Sequence, residues 1–369
     1  MKRRYKVLAW IFGFFAVVIG VFAVVVSHNS ACPAPQSAIA QSDSSMDALQ
    51  YHCYGGPEVL HVERVPKPTP ADDQLLVRVH AASVNPLDWH FMRGEPYIMR
   101  MSAGLGAPTD PHVGVDFSGT VEAVGKSVTR FKPGDEVFGA RGGALGEYVV
   151  VRESRAVTLK PANVSHEQAA AIPVAALTAL QALREQGHLA PGQKVLINGA
   201  SGGVGTYAVQ LAKGMGAKVT GVCSDRNAEM VRSLGADRVI DYRKEDFTRG
   251  DTHYDLIVDN IGNHPVSDIV DALEPNGIYV IVGAPSEDPW IGAMAGPIRA
   301  KLYAPFVDQQ LKFFLASVEQ KDLEYVASLM QDGKLVSVID RRYPLAEAAE
   351  AIRYLETGRA RGKVIVTVP

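Results

Sequence analysis

The chain has 369 residues, 47% of them apolar, and its 37 basic and 40 acidic side chains give a formal net charge of −3. That composition belongs to a globular protein of about two domains with a sizeable core, and its mixed charges make no basic stripe, which argues against a nucleic-acid partner and for small molecules. Cys32, Cys53 and Cys223 stand far apart with no CxxC spacing, so neither a disulfide framework nor a cysteine zinc site is expected, and the folded part reads as one built for a reducing compartment.

The first element is MKRRYK followed by VLAWIFGFFAVVIGVFAVVV, an uncharged run over residues 7–26. That is the length a helix needs to cross a bilayer, and the run is apolar on every face behind a basic flank. A single-pass N-terminal transmembrane helix is therefore expected, hence a membrane localisation with the side left open. Two alternatives stand. Ala38-Ile39-Ala40 has the small-x-small form of a signal-cleavage site, which would give a secreted protein, or the functional chain begins near Met46 and is cytoplasmic. Ser27 to Asp47, rich in Ser, Ala, Pro and Gln, reads as a tether.

From Met46 to about Thr158 short strands and glycine turns dominate. QLLVRVHAASV alternates Leu75, Val77 and Val79, and HVGVDFSGTVEAVG, PGDEVFG and GEYVVV continue the pattern of a folded-over, barrel-like domain. Near Val164 the period changes to a helical one, with Ser165 and Glu167 at the start of SHEQAAAIPVAALTALQALRE. Strand and helix then alternate through KVLING, TYAVQLAKGMG, KVTGVC, NAEMVRSLG, DRVIDY, YDLIVDN and GIYVIVG, which predicts an α/β, doubly wound parallel sheet. The closing DLEYVASLMQDG and GKVIVTV return to the first domain.

The turn Ala200, Ser201, Gly202, Gly203, Val204 and Gly205 follows a strand and opens a helix. Backbone N–H groups and the positive helix end can meet a pyrophosphate there, unobstructed by Cβ atoms, so a dinucleotide is the expected ligand. Where an NAD enzyme places an acid at the end of the next strand this chain has Cys223, followed by Ser224 and Arg226. Both suit a 2′-phosphate and point to NADPH. Asp225, about twenty residues past the motif, is the competing ribose acid of the NAD reading.

The series AASVNPLDW, GVDFSGTVEAVG, FKPGDEVFG, GEYVVV, AAAIPVAALTALQAL, NGASGGVG, SLGADRVIDY and GKVIVTV resembles the medium-chain dehydrogenase/reductase superfamily, and most of all its zinc-free quinone oxidoreductase and alkenal/enone reductase branch. The resemblance runs from about Met46 to the C-terminus. It implies a GroES-like β-rich catalytic domain in two segments with a Rossmann domain between them, often as a homodimer. The expected boundaries are anchor and tether over 1–45, catalytic domain over 46–165 and 319–369, and Rossmann NADP-binding domain over 166–318.

Zinc relatives carry a cysteine where this chain has Asn85 and a histidine where it has Val115, and the cysteine-rich structural loop is missing between Arg141 and Glu147. A metal-free site is expected, with Asp116 left as a structural hydrogen-bond acceptor. Without a Lewis acid, hydride transfer to a simple ketone is hard, whereas an enal, enone or quinone delocalises the developing charge. The resemblance places Asn85 near the nicotinamide or the substrate carbonyl, His90 as a donor to the enolate oxygen, Thr178 beside the nicotinamide, and Tyr242 near the adenosine phosphate. Asp88 would orient the Asn85 loop or cap a helical turn. Asn260, Gly262 and Gly283 end strands at the cofactor crevice, and Lys363 is within reach of the cofactor or simply solvated. The expected activity is a metal-free, NADPH-dependent enone or quinone reductase. A non-catalytic NADPH-binding sensor on the same fold and, behind it, an alcohol dehydrogenase are the alternatives.

Overall fold

A computed structural model describes residues 2–33, 42–283 and 288–369. Helix α1 (Lys2–Ser27) comes first, and β1 (Ser45–Gln50) and β2 (His61–Pro66) make a two-stranded antiparallel sheet. The catalytic sheet then begins with β3 (Gln74–Val84), whose alternating Leu75, Val77 and Val79 are all fully buried. After α2 (Pro86–Arg93) and α3 (Arg100–Ala103) come β4 (Asp116–Val124), β5 (Glu136–Ala140), β6 (Tyr148–Arg152) and β7 (Val157–Leu159). Two helices, α4 (His166–Ala170) and α5 (Pro173–Gln181), lead out of this sheet. Ser165 caps α4 by accepting from the Gln168 N–H.

The nucleotide-type half alternates β8 (Lys194–Asn198), α6 (Gly203–Gly214), β9 (Lys218–Cys223), α7 (Ala228–Ser233), β10 (Arg238–Asp241), β11 (Tyr254–Asp259), α8 (Val266–Asp271), β12 (Leu273–Ile281), α9 (Ala295–Tyr303) and β13 (Gln310–Phe313). Its six strands run parallel in the order β10-β9-β8-β11-β12-β13. The order reverses between β8 and β11, which places the ligand crevice beyond their carboxyl ends.

Helix α10 (Gln320–Gln331) packs Leu323, Val326 and Met330 into the same apolar cluster as α5, α6 and Phe138 of β5. The two halves thus share a core. β14 (Ile339–Pro344), α11 (Ala348–Glu356) and β15 (Lys363–Thr367) then complete the catalytic sheet in the order β14-β15-β3-β4-β5-β7, with β6 paired to β3.

The N-terminal expectation is overturned. Among the described residues no helix is long and apolar enough to cross a membrane, so the single-pass anchor over residues 7–26 and the membrane localisation drawn from it do not stand. Instead, the end of α1 docks on the catalytic half: Val26 is buried, and Arg100 donates to the Val26 and His28 carbonyls and to Asn29 Oδ1. Nor are the residues after α1 a free tether. The Ser30 N–H donates to Gly106 O at 2.8 Å, and Cys32 is disulfide-bonded to Cys53. That bond corrects the expectation that no disulfide forms, since two cysteines 21 residues apart carry no spacing pattern to betray a pair. The Ala38-Ile39-Ala40 site and tether residues 34–41 lie outside the described residues.

Candidate cofactor and acceptor site

The turn from β8 into α6 has two kinds of glycine. A Cβ on Gly205 would stand 2.1 Å from the Gly199 carbonyl oxygen, so the protein itself requires glycine where the helix crosses the strand. A Cβ on Gly202 would meet only that same oxygen, at 3.5 Å. Among the described residues nothing else fills the space beside Gly202, as a turn that receives a pyrophosphate requires. The Gly362 N–H, just before β15, donates to Ser201 O, tying this turn to the catalytic half. Ala200 is fully buried beneath it and Val204 partly so.

A cavity of about 340 Å³ opens from this turn along the ends of β9 and β10. Ser201, Gly202, Ser224, Arg226 and Tyr242 line it, and so do Arg243 and Arg359, which the sequence reading missed. Arg226 Nη2 donates to the Arg359 carbonyl at 3.2 Å, bringing the C-terminal segment against the turn after β9. Asp225 points elsewhere: its carboxylate is 72% exposed and lies 3.5 Å from Lys244 Nζ. The only signal for Arg359 was the basic stretch GRARGK, which stands 133 residues beyond Arg226.

At the ends of β8, β11 and β12 the backbone closes tightly. Gly283 must be glycine because its Cβ would fall 2.0 Å from Asn260 O, and Gly262, at φ +71°, donates its N–H to Asp259 Oδ1. Fully buried Asp259, also missed in the sequence, accepts from Asn198 Nδ2, the Ile261 N–H and Tyr279 OH as well. The Asn260 amide donates to Asn198 O, but its Oδ1 is buried with no hydrogen-bond partner among the described residues. A buried orphan acceptor at this crevice fits a ligand that brings a hydroxyl or N–H.

On the catalytic side a polar knot joins several elements. Asp116 is fully buried; its Oδ2 accepts from Ser83 Oγ and Asn85 Nδ2, each at 2.9 Å, and its Oδ1 accepts from the Val174 N–H in the first turn of α5. Lys363 Nζ donates to Asn85 Oδ1 at 2.6 Å and lies 3.4 Å from Asp116 Oδ2 and 3.5 Å from Val84 O. All three ammonium protons thus meet protein oxygens, while the side-chain stem passes under the glycine turn, with Cδ 3.1 Å from the Cβ position of Gly203. Burial lowers the Lys363 pKa, against the opposing charges of Asp116 and Asp88. Asn85 and Lys363 are therefore buried and paired, neither solvated nor free.

Asp88 Oδ2 accepts the Asn85 N–H at 2.7 Å, fixing the entry to α2. Burial pushes its carboxyl up to about 7, with the Asp116 charge adding to the rise and the Asn85 N–H opposing it. His90 stacks on Trp89 and bonds through Nδ1 to Glu95 O at 2.8 Å. A carbonyl only accepts, so Nδ1 carries the proton and Nε2 is an acceptor in the neutral ring. Burial lowers the His90 pKa and favours that neutral form. The Thr178 hydroxyl donates to Val174 O at 2.6 Å, within its own helix. Among the described residues no group of three or more His, Cys, Asp or Glu is arranged to hold a metal ion.

Comparison with known proteins agrees with this architecture. Residues 71–161 match the alcohol dehydrogenase GroES-like domain, and residues 234–366 match the family described as zinc-binding dehydrogenase. The chain is 37% identical over 340 residues to the chloroplastic quinone-oxidoreductase homolog of Spinacia oleracea, covering 87% of this chain and 98% of that protein. It is 32% identical to the 2-methylene-furan-3-one reductase of Solanum lycopersicum, covering 93% of this chain and 84% of that one. The crystal structure of Escherichia coli quinone oxidoreductase complexed with NADPH superposes with a TM-score of 0.76 at 26% identity, over 87% of this chain and 99% of that chain. The chain belongs to the medium-chain dehydrogenase/reductase superfamily, among its quinone oxidoreductases and enone reductases.

Proposed function

We propose that this protein is an NADPH-dependent reductase of enals, enones or quinones that works without zinc. The observation that carries the cofactor choice is the arginine-lined cavity beside the glycine turn, with Asp225 turned away to Lys244. Ser224, Arg226, Arg243 and Arg359 supply the charge and hydrogen bonds a 2′-phosphate needs, whereas among the described residues no carboxylate lines the cavity to hold free ribose hydroxyls. Gly202 would receive the pyrophosphate, and the orphan Asn260 Oδ1 would accept from the nicotinamide half. The bound cofactor supplies the hydride.

The protein's own contribution to the chemistry is positioning. Asp116 and Lys363 hold the Asn85 loop against the cofactor turn, and Asp88 fixes the start of α2. Neutral His90 presents an acceptor nitrogen at Nε2, so in that form its ring does not carry the proton that completes an enolate or hydroquinone. Asn85 and Val115 stand where zinc relatives carry their ligands, which favours acceptors that delocalise charge over simple ketones. β13 ends its sheet, and the exposed Phe313 and Leu315 beside it suit pairing with a second copy as a homodimer.

The test is oxidation of NADPH and of NADH by the EDTA-treated protein with a quinone, a short enal and a saturated ketone. NADPH consumption with the first two acceptors and not the third is expected. Tight NADPH binding without turnover would shift the reading to a sensor.

A further inference from the structure

Arg100 is a buried charge with an unusual set of partners. Its side chain is 1% exposed, and among the described residues none of its partners is a carboxylate. Nε donates to Gly94 O at 2.8 Å and Nη2 to Arg93 O at 3.1 Å, both at the carboxyl end of α2. Nη1 turns to the N-terminal arm, reaching Val26 O and His28 O at 3.2 Å and Asn29 Oδ1 at 2.8 Å. Tyr54 and Tyr97 flank the guanidinium, with ring centres 4.4 and 4.5 Å from Cζ. A buried guanidinium is tolerated only when its donors are met. Without the arm, Nη1 would lose the three oxygens it faces.

The arm is held in this place covalently. Cys32 is bonded to Cys53, the neighbour of the Tyr54 that stacks on Arg100, and the Ser30 N–H donates to Gly106 O. On its other side the Arg100 socket borders the site. α2 runs back to Asn85 and carries His90, whose Nδ1 bonds Glu95 O, and Tyr97 reaches the nucleotide-binding half through its N–H to Pro289 O and its ring against Trp290 at 5.1 Å. One line of contacts therefore runs from Cys32 through Arg100 to α2 and to the Tyr97–Trp290 bridge between the halves.

We propose that the N-terminal arm is a redox-fastened brace for the acceptor side of the active site, with Arg100 as the positioning residue that transmits it. The Cys32–Cys53 bond keeps residues 26–30 over Arg100, and Arg100 then fixes the carboxyl end of α2 and the Tyr97–Trp290 bridge. A dithiol undoes the fastening by two exchange steps. Its two sulfurs become a disulfide, Cys32 and Cys53 take up the two electrons and two protons as thiols, and no other reactant is consumed. The arm contacts, no longer closed into a short loop, then open more often. The inference rests on the proposed reductase reading only for what the braced side binds.

The experiment uses the full chain, air-oxidised and then treated with dithiothreitol, with thiols counted by alkylation and mass spectrometry; buried Cys223, whose thiol is pushed up to about 11, should react slowly. Two readings are taken: hydrogen exchange over residues 86–106, and the KM values for a quinone and for NADPH. Reduction is expected to speed exchange in that segment but not in β8 to β12, and to raise the quinone KM at least threefold while leaving the NADPH KM unchanged. Cys32→Ser should behave like the reduced protein and ignore dithiothreitol. Free thiols at both positions in the oxidised protein, or full reduction with unchanged exchange over 86–106, would overturn the brace. Absence of turnover would count against the reductase reading alone, because exchange still decides whether the brace exists.

Discussion

Arg226 and Arg359 reach one cavity from opposite segments of the chain. Each charge-assisted hydrogen bond to a phosphate contributes roughly 1.5–3 kcal/mol. Arg359→Ala is therefore expected to raise the KM for NADPH by about 10- to 100-fold and leave that for NADH nearly unchanged, and steady-state kinetics with both cofactors checks it. Ser224 and Arg226 were legible because they follow β9 at a fixed offset from the glycine turn. Arg359 was not, since no period or spacing links the end of α11 to that turn. Asp88 makes a second prediction. Its folded pKa is raised from 3.8 to about 7, so between those values the folded state binds the extra proton and stability falls as pH rises. Asp88→Asn, which keeps an acceptor for the Asn85 N–H, should flatten that fall in urea unfolding measured from pH 4 to 8; an unchanged slope would show that Asp88 is not its source.

At the scale of elements, the β8–α6 turn separates the two uses of glycine. Gly205→Ala would drive a Cβ into Gly199 O and is expected to cost about 1–3 kcal/mol of stability. Gly202→Ala meets no such contact, so it should unfold like the parent protein yet bind NADPH more weakly; denaturation and fluorescence titration read the two effects apart. Asp116 ties β4, β3, α5 and β15 together, and removing it leaves the Lys363 ammonium buried with one anion fewer. Asp116→Ala is expected to lose about 3–5 kcal/mol, and adding Lys363→Met should recover part of that loss. An additive double mutant would contradict the pairing. The strands and helices themselves were readable because burial follows period: Leu75, Val77 and Val79 alternate and are fully buried. The knot was not readable, because Asn85, Asp116 and Lys363 are hundreds of positions apart in part and meet only when β15 closes the sheet beside β3.

For the whole molecule, the division into a β-rich catalytic half and a parallel nucleotide-type sheet was carried by the motif order, and the folded chain keeps it. The N-terminus misled for a physical reason. An apolar run reports hydropathy alone and carries no sign that its last turn meets Arg100 or that Cys32 pairs with Cys53, residues that lie further along the chain. The disulfide was equally silent in the sequence, since pairing is a matter of distance in space. The central claim is that the protein delivers hydride to the β-carbon of a conjugated acceptor without a metal to polarise a simple carbonyl. The most direct measurement is to supply NADPH carrying deuterium at the transferable C4 position, together with an enone, and to locate the label in the product by NMR. The account predicts a saturated ketone labelled at the β-carbon. An allylic alcohol labelled at the carbinol carbon would contradict it.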